Sequence, residues 1–324
     1  MSGERRPRPQ RPDRLPARRR KRYCEGIPAT ELKEILQQIE LLGYGAVWFP
    51  EAIGREPFAT AAFVLSHTER LIAATGILNI YGRDPMVTAM GQQTLTEFSG
   101  GRFLLGLGVS HSSFVEPRGH AYGKPVSTMR TYVATLRQCH TTISVTKNLA
   151  LEGLAPQAVN KGFLGAITTD LGEMPVVLAA LGPKMNALAA EITQGSHPFN
   201  TTPEHTRRAR EILGPAAWLC PMQRVCLTTD ARRAREVGRR VLGFHLSLTH
   251  YRNMLLTCGF SETELESGGS DRLIDQLLGW GDQAKIRQTV QAHLDAGASH
   301  VCVQAINPED PVRPCLRALR ALKE

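Results

Sequence analysis

No run of about 18 or more apolar residues occurs in the 324-residue sequence, so no membrane-spanning helix is expected. The N-terminus is charged but has no apolar h-region behind it, which argues against a secretory signal and for a cytoplasmic protein. The seven cysteines (Cys24, Cys139, Cys220, Cys226, Cys258, Cys302 and Cys315) are odd in number, and no CxxC or CxxxC spacing is present. Neither a disulfide framework nor a zinc site is therefore expected, and the thiols read as reduced core residues. No HExxH and no two-His-one-carboxylate spacing occurs, so no metal site is assigned. A complete dinucleotide fingerprint is missing too. In "GGRFLLGLGVSH" the third glycine of GxGxxG is replaced by His111, and residues 102–108 read as the strand that these glycines end.

What the chain has in excess is positive charge, and it is concentrated in one place. Residues 1–22 hold nine Arg and one Lys against Glu4 and Asp13, a net of +8, while the rest holds 29 basic and 28 acidic residues. The body thus has no global field for a polyanion, and no specific nucleic-acid partner is expected. The stretch "RRPRPQRPDRLPARRRKR" is rich in Pro and Arg and lacks hydrophobic periodicity, so residues 1–25 are expected to be a disordered arm.

From Thr30 onward helices and strands alternate. Leu32, Ile35, Leu36, Ile39 and Leu42 form one helical face, Gly43 ends it, and "AVWFP" follows as a short buried strand. The same order returns near the other end. Asp282 caps a helix with Ile286, Val290 and Leu294 on its face, Gly297 ends it, and "HVCVQA" is the strand. Between them the pattern gives helices over residues 57–67, 85–98, 128–139, 184–192 and 203–213. Strands are expected over 70–76 and 102–108, in "PVVLAAL", in "GSHPF" and in "AWLCPMQRVCL". Longer helical stretches then run to Gly279.

Repeated αβ units with nearly continuous apolar strands imply a parallel sheet covered on both faces. Seven strands can be counted, which places residues 26–324 in an α/β (β/α)8 TIM barrel with a degenerate or missing first strand. A doubly wound open sheet is the competing architecture. The polar segment 141–173 breaks the alternation and reads as an insertion or lid. A wall lacking its first strand would expose an edge, so either a homodimer or a poorly soluble protein is expected.

In such a barrel, chemistry gathers at the C-terminal ends of the strands. Glu51, Asn79, Tyr81, His111, His197 and Asn200 all fall there. In "LGPKMNALAAEITQG", Gly182 and Pro183 open a helix whose N-terminal N–H groups suit a phosphate. An ordinary βα turn is the plain alternative.

The blocks "LLGYGAVWFPE", "IAATGILNIYGRDP", "TLTEFSGGRFLLGLGVSH", "VLAALGPKMNALAAE", "GSHPFNTTPEHTRRAREILGP" and "GGSDRLIDQLLGWGD" together resemble the bacterial luciferase-like monooxygenase superfamily. Within it they are most similar to the actinobacterial branch that uses coenzyme F420, a deazaflavin. The likeness spans residues 29 to about 304, apart from 141–173.

The resemblance implies a barrel that binds a flavin or deazaflavin at its mouth and acts on a small-molecule substrate. It implies a bulge at Gly76 and Ile77, often a cis peptide, backing the ring, with Asn79 nearby. Gly108, Val109 and Ser110 would line the ring or phosphate side, and Leu181, Gly182, Pro183 and Lys184 would hold the phosphate. His111 is the expected proton donor or acceptor, with Glu51 second. Two departures stand out: Ala52 occupies the place of a His, and His111 the place of a Glu. The alternatives are an FMN-dependent monooxygenase and a catalytically silent barrel acting as a binding partner.

Overall fold

The computed structural model describes residues 26–144, 171, 172 and 174–324. The basic arm and most of the 141–173 insertion lie outside the described residues.

Helix α1 (Ala29–Leu41) buries Leu32 and Leu36 against the sheet. It stops where Gly43 takes φ of +77°, a conformation that favours glycine. Strand β1 (Ala46–Phe49), helix α2 (Pro57–Ser66) and strand β2 (Ile72–Thr75) follow in the expected order. After the two-residue β3 (Leu78–Asn79) comes α3 (Pro85–Ser99). The Asp84 side chain accepts from the N–H groups of Met86 and Val87, and Gly100 ends the helix in the left-handed region.

Strand β4 (Phe103–Gly108) is buried along its whole length. It leads through the short α4 (Ser112–Val115) to α5 (Pro125–Ser144). Helix α5 is longer than the periodicity indicated, because Pro125 is tolerated in a first turn. The second half runs β5 (Val176–Leu178), α6 (Pro183–Ile192), β6 (Gly195–Ser196), α7 (Pro203–Leu213), β7 (Trp218–Leu219) and β8 (Met222–Leu227). Then come α8 (Ala231–Leu246), α9 (Thr249–Thr257), α10 (Asp271–Leu277), β9 (Leu278–Gly281), α11 (Gln283–Asp295), β10 (Cys302–Ala305) and α12 (Leu316–Ala321).

All pairings between these strands are parallel, in the orders β1-β2-β4-β5-β6-β7 and β10-β8-β9, with β3 against β4. Strands β7 and β8 are one stretch interrupted at Cys220 and Pro221. The N–H groups of Cys220 and Met222 still donate to Ser196 and Pro198 on the β6 side, and that of Cys302 donates to Pro221 on the other. This join curls the two sheets into one barrel wall.

Outside the wall, α1 and the chain's end pack together. Tyr44 Oη donates to the Leu319 carbonyl at 2.8 Å, Lys323 Nζ donates to that of Gly43 at 2.9 Å, and Arg313 pairs with Glu31. Inside it, Trp48 stacks on His197 with ring centroids 4.3 Å apart. Cys220, Met222 and Cys302 pack beside this stack.

The fold is thus the (β/α) barrel type rather than the doubly wound sheet. Two strands were not expected, the two-residue β3 beside β4 and the longer β9. Two glycines flank Trp280 in β9, and glycine has little intrinsic strand preference. Pairing with residues 224–227 of β8 overrides it.

Candidate active site

The strand ends open into one cavity of 1210 Å³. Its wall includes Glu51 after β1, Gly76, Ile77 and Asn79 after β2, and Gly108, Val109, Ser110 and His111 at the end of β4. Leu181, Gly182, Pro183 and Lys184 after β5, and His197 after β6, complete the strand-end face. Tyr81 and Asn200 do not line it. Tyr81 Oη instead accepts the Gly123 N–H at 2.9 Å, and its ring stacks on Tyr122. Asn200 is buried, with φ of +55°. Among the described residues no cluster of His, Cys, Asp or Glu is arranged to hold a metal ion.

The Gly76–Ile77 peptide bond is cis. It packs against β4 because β4 has no side chain in the way. A Cβ on Gly106 would lie 2.0 Å from the Thr75 carbonyl oxygen, and one on Gly108 would lie 2.3 Å from Ile77 Cδ1. The Glu51 carboxylate holds the next turn. Its Oε2 accepts the Asn79 N–H at 2.8 Å and lies 3.4 Å from the Arg83 guanidinium. One carboxylate oxygen of Glu51 is thereby engaged by its own chain.

At the other end of the strand-end face, Gly182 precedes α6 and no side chain caps the helix. A Cβ on Gly182 would meet nothing within 4 Å. First-turn N–H groups have no intrahelical carbonyl to bind, so those of Lys184 and Met185 remain for a ligand. His205 Nε2 donates to the Leu181 carbonyl at 2.7 Å, and Asn186 Nδ2 donates to that of Gly182 at 3.1 Å, fixing the loop. Asn186 Oδ1 is buried and has no partner among the described residues.

His111 faces the helical wall. Its ring centroid lies 5.7 Å from that of His250 and 5.9 Å from that of Tyr251, while His245 lies 5.2 Å from Tyr251. Desolvation, helped by the field of His250, pushes the His111 pKa down to about 4. Burial, then the charge of Arg224, pushes that of His245 to about 3. Above this cluster Phe114 meets Phe244 edge-on at 5.7 Å, joining α4 to α8 across the mouth.

Reading only strand ends missed this wall, since α8 and α9 form it. The run "FHLSLTHY", rich in aromatic and imidazole rings, was the available signal.

A sequence profile for the luciferase-like monooxygenases matches residues 13–218, more than half of the chain. The chain belongs to that family. It is 28% identical to a Mycobacterium tuberculosis protein classed as a coenzyme F420-dependent oxidoreductase, over 89% of this chain and 94% of that one. Two solved structures share the fold. An F420-dependent secondary alcohol dehydrogenase superposes with a TM-score of 0.66 at 14% identity, covering 91% of this chain and 96% of that chain. The oxygenating constituent of 3,6-diketocamphane monooxygenase from Pseudomonas putida, in complex with FMN, gives 0.66 at 12% identity, covering 93% and 94%. Solved structures with this fold thus include an F420-dependent enzyme and one in complex with FMN.

Proposed function

We propose that the protein is an oxidoreductase that uses coenzyme F420 to move a hydride to or from a small organic substrate. The observation that carries this reading is a single cavity joining three things: the cis Gly76–Ile77 turn, the uncapped N-terminus of α6, and His111. These residues fit a cofactor with a flat ring and a phosphate. Gly76, Ile77, Gly108 and Val109 would back the ring, while Leu181, Gly182, Pro183 and Lys184 would hold the phosphate through N–H groups and one cation. A bound deazaflavin supplies hydride exchange at its C5.

The chain's own part is orientation, exclusion of water and handling of a proton. Burial keeps His111 neutral at rest, so it accepts a proton when hydride leaves the substrate and, as the imidazolium, returns one when hydride is delivered. The Phe114 and Phe244 pair narrows the mouth. Glu51 positions Asn79 and Arg83 rather than moving a proton. FMN is the second reading, favoured by the FMN complex among the structures of the same fold. A second copy of the chain belongs to the same proposal, since Val87, Met90 and Phe98 on α3 are 48%, 53% and 79% exposed. Sedimentation that shows a monomer removes that part.

The deciding experiment titrates the purified protein with F420 and with FMN and follows quenching of cofactor fluorescence. F420 is expected to bind and FMN to bind much more weakly. Binding of neither at about 1 mM, where even weak sites fill, would sink the reading in favour of a silent barrel.

A further inference from the structure

One buried imidazole on the cavity wall has no task in the scheme above. His197 follows β6 and is 2% exposed. Its Nδ1 lies 2.7 Å from the Cys220 carbonyl oxygen. A carbonyl only accepts, so Nδ1 carries the proton and Nε2 carries a lone pair. Stacking on Trp48 and the Cys302 sulfur, 3.7 Å from Nδ1, hold the ring in place. Burial pushes its pKa down to about 4, which preserves that lone pair at neutral pH.

Nε2 points at the cis turn, because a Cβ built on Gly76 would fall 2.9 Å from it. Among the described residues it has no hydrogen-bond partner. Asn79, beyond the same turn, offers the opposite polarity. Its Oδ1 accepts the Tyr81 N–H at 3.1 Å, which identifies the other amide atom as the Nδ2 donor. That donor also lacks a partner among the described residues, and Asn79 is 4% exposed on the cavity wall. An acceptor and a donor, neither bonded within the described residues, thus line the cavity beside one turn. Both groups belong to side chains fixed by packing and hydrogen bonds, so a ligand of matching polarity bonds to the two at once without reorganising them. The complementary ligand edge is an N–H beside a carbonyl. Flavins and deazaflavins have one such edge, an imide N–H between two carbonyls.

We propose that His197 orients the cofactor ring, its Nε2 accepting a hydrogen bond from the imide N–H while Asn79 Nδ2 donates to a neighbouring ring carbonyl. The proposal rests on the cofactor reading given above.

The test measures affinity by fluorescence quenching for F420, FMN and, for whichever binds, the analogue methylated at the imide nitrogen. Methylation should weaken binding to the wild type about tenfold, the worth of one desolvated hydrogen bond. His197→Asn, whose amide can still donate to the Cys220 carbonyl, and His197→Phe, which keeps a ring beside Trp48, should weaken the parent cofactor similarly. Neither should lose much more on methylation, because the partner is already gone. Thermal unfolding of the cofactor-free variants records whether they fold. Equal binding of parent and methylated cofactor to the wild type overturns the proposal without any variant. Undiminished affinity in a folded variant, or fully additive losses, overturns it as well. Wild-type protein that binds neither cofactor overturns the cofactor reading itself, and this inference with it.

Discussion

The Glu51 carboxylate ends strand β1 yet holds the turn after β2, accepting the Asn79 backbone N–H at 2.8 Å while Arg83 lies 3.4 Å away. One side chain therefore braces the loop that carries the Gly76–Ile77 peptide. Replacing Glu51 by Gln keeps the shape but weakens both contacts. The variant should lose about 1–3 kcal/mol of stability and bind cofactor more weakly, as read by chemical unfolding and fluorescence titration. Lost turnover with unchanged stability and affinity would instead return Glu51 to the chemistry.

His111→Ala should lower turnover by about a hundredfold or more, with cofactor affinity changed far less. Because the imidazole is neutral above about pH 4, the acid limb of the wild-type rate profile should lie well below pH 6.5. Steady-state rates across pH, measured at saturating cofactor, decide the point.

Stability should fall in acid for the same physical reason. Burial holds His111, His197 and His293 down to about 4 and His245 to about 3, against an ordinary value of 6.5. Between those values the unfolded chain binds protons that the folded chain refuses. Each unit of depression is worth about 1.4 kcal/mol, so stability is full above about pH 6.5 and drains as pH falls toward 4. Urea unfolding at several pH values should show this slope, and a flat profile would contradict it.

Gly106→Ala should cost about 3 kcal/mol or more, because its Cβ would strike the backbone carbonyl of Thr75 at 2.0 Å. Gly108→Ala clashes with the Ile77 side chain, at 2.3 Å, and meets Ala179 Cβ at an ordinary 3.4 Å, so combining it with Ile77→Ala should recover most of the loss. Thermal unfolding of the single and double variants separates the two cases.

Lys184→Ala should weaken phosphate-bearing cofactor about three- to tenfold and reduce the salt dependence of binding. A phosphate-free ring analogue should bind the variant and the wild type alike. Equal losses for both ligands would place Lys184 away from the phosphate.

Local chemistry made much of this legible in advance. The helix start at Pro85, the cap at Asp282 and the left-handed Gly43 depend on a few adjacent residues, and they lie where periodicity puts them. Alternation of such elements implies a parallel sheet, and a parallel sheet curled into a barrel brings its strand ends to one mouth. That is why Glu51, Asn79, His111, Lys184 and their neighbours meet in one cavity.

The tertiary structure alone decided the rest. Whether a strand-end side chain turns inward depends on contacts across the barrel: Tyr81 turns to Gly123 and Tyr122, while His197 turns to Trp48. Helices α8 and α9 close the cavity, and although their aromatic and imidazole rings are visible in the sequence, only the packing shows that they face the strand ends. Strand β9 exists because β8 offers it hydrogen bonds. The protonation of His111 follows from how much water its neighbours exclude, a property of packing that adjacent residues do not encode.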